Sequence, residues 1–195
     1  MWPEPITLSN RHVTLVPLAP EHCPGLIDAV RDGELWRLRY TAVPHPDGMA
    51  AEIDRRLGLQ AAGRMLPFTV VDAASGRIAG MTTLMNIDAR TPRVEIGSTW
   101  YAAQVQRTAL NTSAKLLLLD HAFRTLGCVA VEFRTHVLNR QSRSAIERLG
   151  ARLDGILRHH MRLPDGSLRD TCVYSIIAPE WPEVCKALNS RLDRG

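Results

Sequence analysis

Apolar and polar residues alternate along "RHVTLVPL", with Val13, Leu15 and Pro17 set against His12, Thr14 and Val16, a two-residue period that predicts a first strand. A helix follows from Pro20 and Glu21 through "EHCPGLIDAVRD", its start left undefined by Pro24 and Gly25. In "GMAAEIDRRLGLQAAG" the period becomes helical: Ile53, Leu57 and Leu59 or Ala61 fall near one face, and Gly63 ends the pattern. Two β-rich runs flank the small residues "AASG" in "LPFTVVDAASGRIAGMTTLMNID", which predicts a hairpin. The next strand, "RVEIGSTWY", contains Gly97, the mark of a bulge or of another group approaching the backbone closely.

The stretch "QVQRTALNTSAKLLLLD" passes from polar residues into a helix that is apolar on most sides and ends near Gly127. Asn111, Thr112 or Ser113 can cap it, and Leu116 to Leu119 occupy so much of its circumference that it must be wedged between a sheet and another helix. A strand, "CVAVEFRTHV", is followed by the short helix "RQSRSAIERLG", with Ala145, Ile146 and Leu149 on one side and Gly150 as cap. The segments "LDGILRHHMR" and "RDTCVYSII" pair antiparallel around the turn "LPDGS". A last helix, "PEWPEVCKALNSRL", holds Pro182 in its first turn. This order predicts a mixed α/β chain.

Composition narrows the class. With 195 residues, 45% hydrophobic and 23% charged, and no repeat or linker-like stretch, residues 1–195 read as a single globular domain. A basic start, a signal-like apolar stretch and a membrane-length run are all absent, so a cytoplasmic protein without a membrane partner is expected. Cys23, Cys128, Cys172 and Cys185 form no CxxC pair, which argues for reduced thiols and no metal. The net charge of +4 is unclustered and aromatic content is 5%, so no nucleic-acid partner is expected either.

A helix N-terminus presents N–H groups without intrahelical partners and the positive end of the helix dipole, so the residues ahead of "SAKLLLLD" suit a phosphate. An ordinary capped, buried helix leaves the same trace. Neither G-x-x-x-x-G-K-[ST] nor G-x-G-x-x-G is present, which removes the common loops for nucleoside triphosphates and dinucleotides.

The order of parts resembles the GNAT acetyltransferase superfamily, in which a bulged strand leads through a Q/R-x-x-G-x-G/A loop into the central helix and the loop's N–H groups hold the pyrophosphate of acetyl-CoA. This chain has Gln104-Val105-Gln106-Arg107-Thr108-Ala109, matching the first and last positions and setting Arg107 where glycine is usual. That guanidinium either crowds the loop or lies beside a phosphate. Asn139-x-x-Ser142 with Leu149-Gly150 is similar to the family's N-x-x-S…L-G segment. Taken with "PDGSLRDTCVYSI", these segments resemble the branch named for ribosomal-protein N-terminal acetyltransferases over residues 10–178.

The resemblance implies a mostly antiparallel sheet of six to seven strands, splayed between the fourth and fifth, with helices on both faces. It implies acetyl-CoA as cosubstrate, held by Trp100, Tyr101, Gln106, Arg107, Thr108, Ala109, Leu110, Asn111 and Asn139, the last at the pantetheine arm. Direct acetyl transfer to a primary amine follows, the acceptor being a protein N-terminus, an amino acid or another small amine. A backbone N–H among Ser98 to Tyr101 would polarise the carbonyl. Glu95, two residues before Gly97, is the candidate base, with Tyr101 as a further one. The tyrosine that many family members use as acid is replaced by Ile146, which leaves Ser142 or water to meet the thiolate. The alternative is a non-catalytic acyl-CoA-binding or regulatory module on the same fold.

His159 and His160 diverge on a strand, so at most one faces an acceptor, and neither is expected to bind metal. Trp36 and Tyr40, with Arg37 and Arg39 between them, would border the acceptor pocket by the same resemblance. The late hairpin and final helix could pair between subunits of a homodimer.

Overall fold

The computed structural model describes residues 2–37, 43–163 and 165–194. Eight strands form one sheet: β1 (Leu8–Ser9), β2 (Val13–Pro17), β3 (Met65–Asp72), β4 (Ile78–Asp88), β5 (Arg93–Tyr101), β6 (Ala130–His136), β7 (Arg152–Arg162) and β8 (Leu168–Ile177). Their order is β1-β2-β3-β4-β5-β6-β8-β7, antiparallel throughout except for β5 and β6. Those two are joined by a helical crossover, which is what makes a parallel pair reachable.

The strand count exceeds the six to seven expected, and the parallel pair lies between the fifth and sixth strands. The extra member is β1, whose two residues are too few to show a period. Counted from β2, the parallel pair is the fourth and fifth, the two strands between which the resemblance implies a splay.

Helices α1 (Cys23–Arg31) and α2 (Met49–Ala61) cover one face, where Leu26, Val30, Met49 and Ile53 pack with Met81 and Trp100. The start of α1 resolves the ambiguity left by the prolines. One 3-10 turn, Pro20–His22, precedes it, and Pro24 sits in its first turn, where a missing N–H costs nothing. The other face carries α3 (Ala109–Asp120), α4 (Arg140–Arg148) and α5 (Trp181–Leu192). Leu110, Ala114 and Leu118 of α3 join the core over the sheet, and Leu119, Leu116 and Leu117 pack there as well. Helix α5 closes the far side, with the rings of Phe123 and Trp181 stacked 5.4 Å apart. The leucine run is apolar all round because its helix has neighbours all round; each fully buried leucine contributes about 1.5–3 kcal/mol.

Near the start of β4, Gly80 lies against β5 opposite Tyr101 with φ +151. A Cβ there would stand 2.1 Å from the carbonyl oxygen of Trp100. At the opposite edge, β7 is exposed along nearly its whole length, including Leu153, Ile156, Leu157 and Met161. The register slips between Leu157 and Met161, the stretch that holds both histidines, and His159 takes φ +49. Of the hairpin's turn, Pro164 lies outside the described residues. The four cysteines are free thiols.

Candidate active site

Strands β5 and β6 pair only from Arg93 to Glu95 against Ala130 to Glu132. Beyond Glu95 both continue, β5 to Tyr101 and β6 to His136, without pairing to each other, which opens a gap in the middle of the sheet. At the mouth of this gap β5 bulges. Met81 and Thr83 of β4 face Trp100 and Gly97, so Ser98 and Thr99 occupy the room of one residue, and Ser98 has φ +47. Gly97 stands immediately before the bulge, as its sequence signal suggested.

Val94 and Ile96 belong to the core under α3, so Glu95 and Gly97 point to the face that carries α2. Glu95 is 5% exposed. Its Oε2 accepts from Asn86 Nδ2 at 2.6 Å and lies 3.4 Å from Arg134 Nε. Burial pushes its carboxyl above the ordinary carboxylate range, against the opposing pull of Asn86 and Arg134. A Cβ on Gly97 would stand 2.8 Å from Glu95 Oε1 and 2.9 Å from Met85 Sδ, so the absent side chain is the space in which the carboxylate lies. Arg134 is shared with Glu132, at 2.9 Å, and Glu132 also binds Arg93.

The bulge is gripped from both faces. Arg56 of α2 is 1% exposed; its Nε donates to Glu52 at 2.7 Å, Nη1 donates to Thr83 Oγ1 at 2.8 Å, and both Nη atoms reach the Ser98 carbonyl at 3.5 Å. From the α3 face, Lys115 Nζ donates to Thr99 Oγ1 at 2.8 Å.

Helix α3 begins earlier than expected. Thr108, not Asn111, Thr112 or Ser113, is its N-cap, and the Thr108 hydroxyl accepts from the Leu110 N–H at 3.2 Å. The stretch "TALNTS" offers capping residues on both sides of Ala109 and Leu110, and those two good helix formers carry the helix back to the first of them. The N–H groups at the open end are therefore those of the loop, of Ala109 and of Asn111. Arg107 takes φ +63, the left-handed region where glycine is at home, which accounts for the family's preference and means that arginine here carries about 1 kcal/mol of strain. Gln106 folds back, its Nε2 donating to the Tyr101 carbonyl at 2.9 Å, and so braces the loop. Asn111 is half-buried in the first turn, and the Leu110 side chain is in the core.

Two side chains expected at the cofactor are turned away from the gap. Trp100 packs under α1 and α2, and the Tyr101 hydroxyl is sealed in the opposite core with no hydrogen-bond partner among the described residues, where burial pushes its pKa far up. From these residues only backbone can reach a ligand in the gap, and Tyr101 does not share the Glu95 face.

At the start of α4, Asn139 is the N-cap, its Oδ1 accepting from the Ser142 N–H at 3.0 Å. The Ser142 hydroxyl makes no hydrogen bond among the described residues, so capping does not occupy it. Ile146 is buried in the core. Below the helix, Arg143 Nε donates to the Tyr174 hydroxyl at 3.0 Å, which donates in turn to Glu147 Oε1 at 2.8 Å. Trp36 and Arg37 form a 3-10 turn near α1, while Arg39 and Tyr40 lie outside the described residues. His160 binds the Thr171 hydroxyl at 3.1 Å, as does Arg169 Nε at 3.1 Å.

The sequence reading missed Arg56, Lys115, Asn86, Arg134 and Arg169. Only Lys115 left a trace, as a charge inside an otherwise apolar arc of α3. Among the described residues no group of three or more His, Cys, Asp or Glu side chains could hold a metal ion, and no helix is long and apolar enough to cross a membrane.

The family model for the acetyltransferase (GNAT) domain matches residues 12–152. No curated protein matches the sequence. Among solved structures, a GCN5-related N-acetyltransferase from Brucella melitensis is 31% identical, with a TM-score of 0.87 over 97% of this chain and 86% of its own. An acetyltransferase-class protein from T. thermophilus is 33% identical, with a TM-score of 0.85 over 98% of this chain and 100% of its own. Mycobacterium smegmatis RimJ in complex with CoA-disulfide, at 23% identity and a TM-score of 0.79 over 97% and 95%, shares the fold. On the family match and these relatives together, the chain belongs to the GNAT acetyltransferases and is an N-acetyltransferase.

Proposed function

We propose that this enzyme moves the acetyl group of acetyl-CoA directly to a primary amine that approaches on the Glu95 face. The observation that carries the reading is the convergence of a strand gap, a bulge and a buried carboxylate on one spot. The loop Gln106–Ala109 and the first turn of α3 offer N–H groups to the pyrophosphate, with the exposed Arg107 guanidinium at hand for a charge-assisted bond. The RimJ relative, solved with CoA-disulfide, supports a coenzyme site on this fold.

Glu95 takes a proton from the acceptor as its nitrogen attacks the thioester carbonyl carbon. The bulge turns N–H groups to the oxygen that gains charge, and the C–S bond then breaks. Asn139 meets the arm with its side-chain amide, and the Ser142 hydroxyl holds the water that protonates the departing thiolate.

The acceptor face also bears on substrate class. Arg169 is half-buried and forms no ion pair with any described carboxylate, yet Glu95 acts on it electrostatically. Together with Arg134 it favours an amine that carries an anionic group, such as an amino acid.

The test is thiol release from acetyl-CoA with a panel of amines that pairs free amino acids with their amides. Saturable release, faster with the free carboxylates, is expected. Ile146, where the family's proton donor usually stands, favours the second reading, a binding module; calorimetric binding of acetyl-CoA without thiol release would establish that instead. No binding at millimolar coenzyme would end both.

Gly97→Ala probes the base without touching it. The new methyl displaces two flexible side-chain ends, Glu95 Oε1 and Met85 Sδ, so stability should fall by only about 1 kcal/mol. Moving the carboxylate by about an ångström should cost about 100-fold in kcat/KM. Steady-state kinetics beside thermal unfolding separates the two effects.

A further inference from the structure

Lys115 is the buried charge that the acetyl-transfer scheme leaves unused. It lies in α3, 7% exposed, on the same helix whose first turn faces the loop. Among the described residues it makes no ion pair. Its ammonium donates to Thr99 Oγ1 at 2.8 Å and reaches Thr82 Oγ1 at 3.5 Å; these hydroxyls bond each other at 2.8 Å, and Thr99 also turns to the Gly97 carbonyl at 3.3 Å. Burying a charge against two hydroxyls alone is costly, and desolvation brings the Lys115 pKa down to about 7. Packing does not account for the residue, because a methionine would fill nearly the same volume without that cost.

What distinguishes the location is its partner. Thr99 is the second residue of the bulge, and Gly97, which its hydroxyl also touches, is the residue against which Glu95 lies. On the opposite face Arg56 reaches the carbonyl of the Ser98–Thr99 peptide. One strained turn of β5 thus has a basic side chain on each side. We propose that Lys115 is a positioning residue for acetyl transfer: through the Thr99 hydroxyl it fixes the bulge and, in its protonated form, sets a positive charge behind the point where the thioester oxygen becomes negative.

This rests on the reading that the thioester is presented at the bulge. A charge held in place before reaction, in a site with little water, stabilises a developing oxyanion without reorganising. A donor to the Ser98 carbonyl also polarises the N–H of the same peptide. Neither effect requires Lys115 or Arg56 to touch the substrate.

The test compares Lys115→Met and Thr99→Val with Thr99→Ser and the unaltered enzyme. Four quantities are read: acetyl-CoA affinity by calorimetry, thiol release, thermal unfolding, and the infrared carbonyl band of bound, carbonyl-labelled acetyl-CoA. In Lys115→Met and Thr99→Val, kcat should fall about 10- to 100-fold, the usual cost of losing an outer partner of a reacting group. The KM for acetyl-CoA and its affinity should stay within about threefold. The carbonyl band should move toward its position in free solution; Lys115→Met should unfold no earlier than the unaltered protein, whereas Thr99→Val, which takes from the buried ammonium its nearer acceptor, should unfold somewhat earlier. Thr99→Ser, which keeps the hydroxyl, should retain the activity and the band. A Lys115→Met enzyme with unchanged kcat and band overturns the proposal. So does one that loses activity together with thermal stability, if Thr99→Val remains active. An unaltered enzyme that binds acetyl-CoA with a shifted band but releases no thiol removes the transferase mechanism and leaves the band to decide on Lys115. Failure to bind acetyl-CoA removes both.

Discussion

Replacing Glu95 by glutamine is expected to lower kcat/KM by about 10²- to 10⁴-fold, the contribution of a positioned general base. The substitution keeps the shape of the side chain. Asn86 can still donate to the remaining carbonyl oxygen, and Arg134 keeps its bond to Glu132. The pH dependence identifies the role. A base must be ionised, and burial raises the Glu95 pKa, so kcat/KM should climb with pH through an apparent value above the usual 4.5. The glutamine enzyme should lose that climb. Stability should respond with the opposite sign. Because the folded state holds the Glu95 proton more tightly than the unfolded state does, stability falls as pH rises from 4.5 through the folded value. Above that window Glu95→Gln should therefore be more stable than the unaltered protein, and below it the two should agree. Urea unfolding at acid and neutral pH, set beside the rate profile, checks both signs. A variant that keeps its rate, or loses rate and stability together at neutral pH, would show Glu95 to be structural.

Gly80→Ala is expected to be the most damaging small change to the fold. A methyl there meets the Trp100 carbonyl oxygen at 2.1 Å, with Trp100 C and Tyr101 Cα at 3.0 Å. All three are backbone atoms, so no rotamer relieves the contact, and φ +151 disfavours any side chain. Relief requires β4 and β5 to part at the point where β5 leads into the loop. A loss of at least about 3 kcal/mol is expected, within the range of overpacking combined with backbone strain. For a chain of this length that lowers the melting temperature by about 6–12 °C. Calorimetry reads it directly, and an unchanged melting temperature would mean that the two strands are less tightly joined here than described. Gly97→Ala meets side-chain ends instead, so the two glycines of one strand pair should separate cleanly into one that affects folding and one that affects rate.

Much of the fold was legible because the strands are long and their neighbours regular. "RVEIGSTWY" corresponds residue for residue to β5, and the two runs around "AASG" to β3 and β4. Short or irregular features were not. The two residues of β1 carry no period, and the left-handed Ser98 is an ordinary serine in sequence. The helix cap went astray because several residues in "TALNTS" can serve and only tertiary packing selects among them. At the site, Glu95 could be proposed from its spacing to Gly97, but its depth depends on which face of β5 is covered. Arg56 shows the limit most clearly. It sits in a run, "DRRLG", that reads as the solvent face of α2, yet it is almost fully buried, since Glu52, Thr83 and the bulge carbonyl together satisfy its guanidinium. Whether a charge points inward depends on partners distant in sequence, and no local pattern encodes them.

Because β5 and β6 stop bonding after Glu95, the sheet has two raw borders in its interior as well as two at its rim. Peptide groups along an inner border need hydrogen-bond partners as much as those of any ladder, and in the free enzyme only solvent is at hand to supply them. A slender molecule with amides spaced like a polypeptide would displace that solvent and serve as a surrogate strand, recognised by backbone and therefore largely indifferent to the side chains around it. Compounds that imitate a short extended peptide should accordingly lodge in the seam whatever amine the enzyme serves.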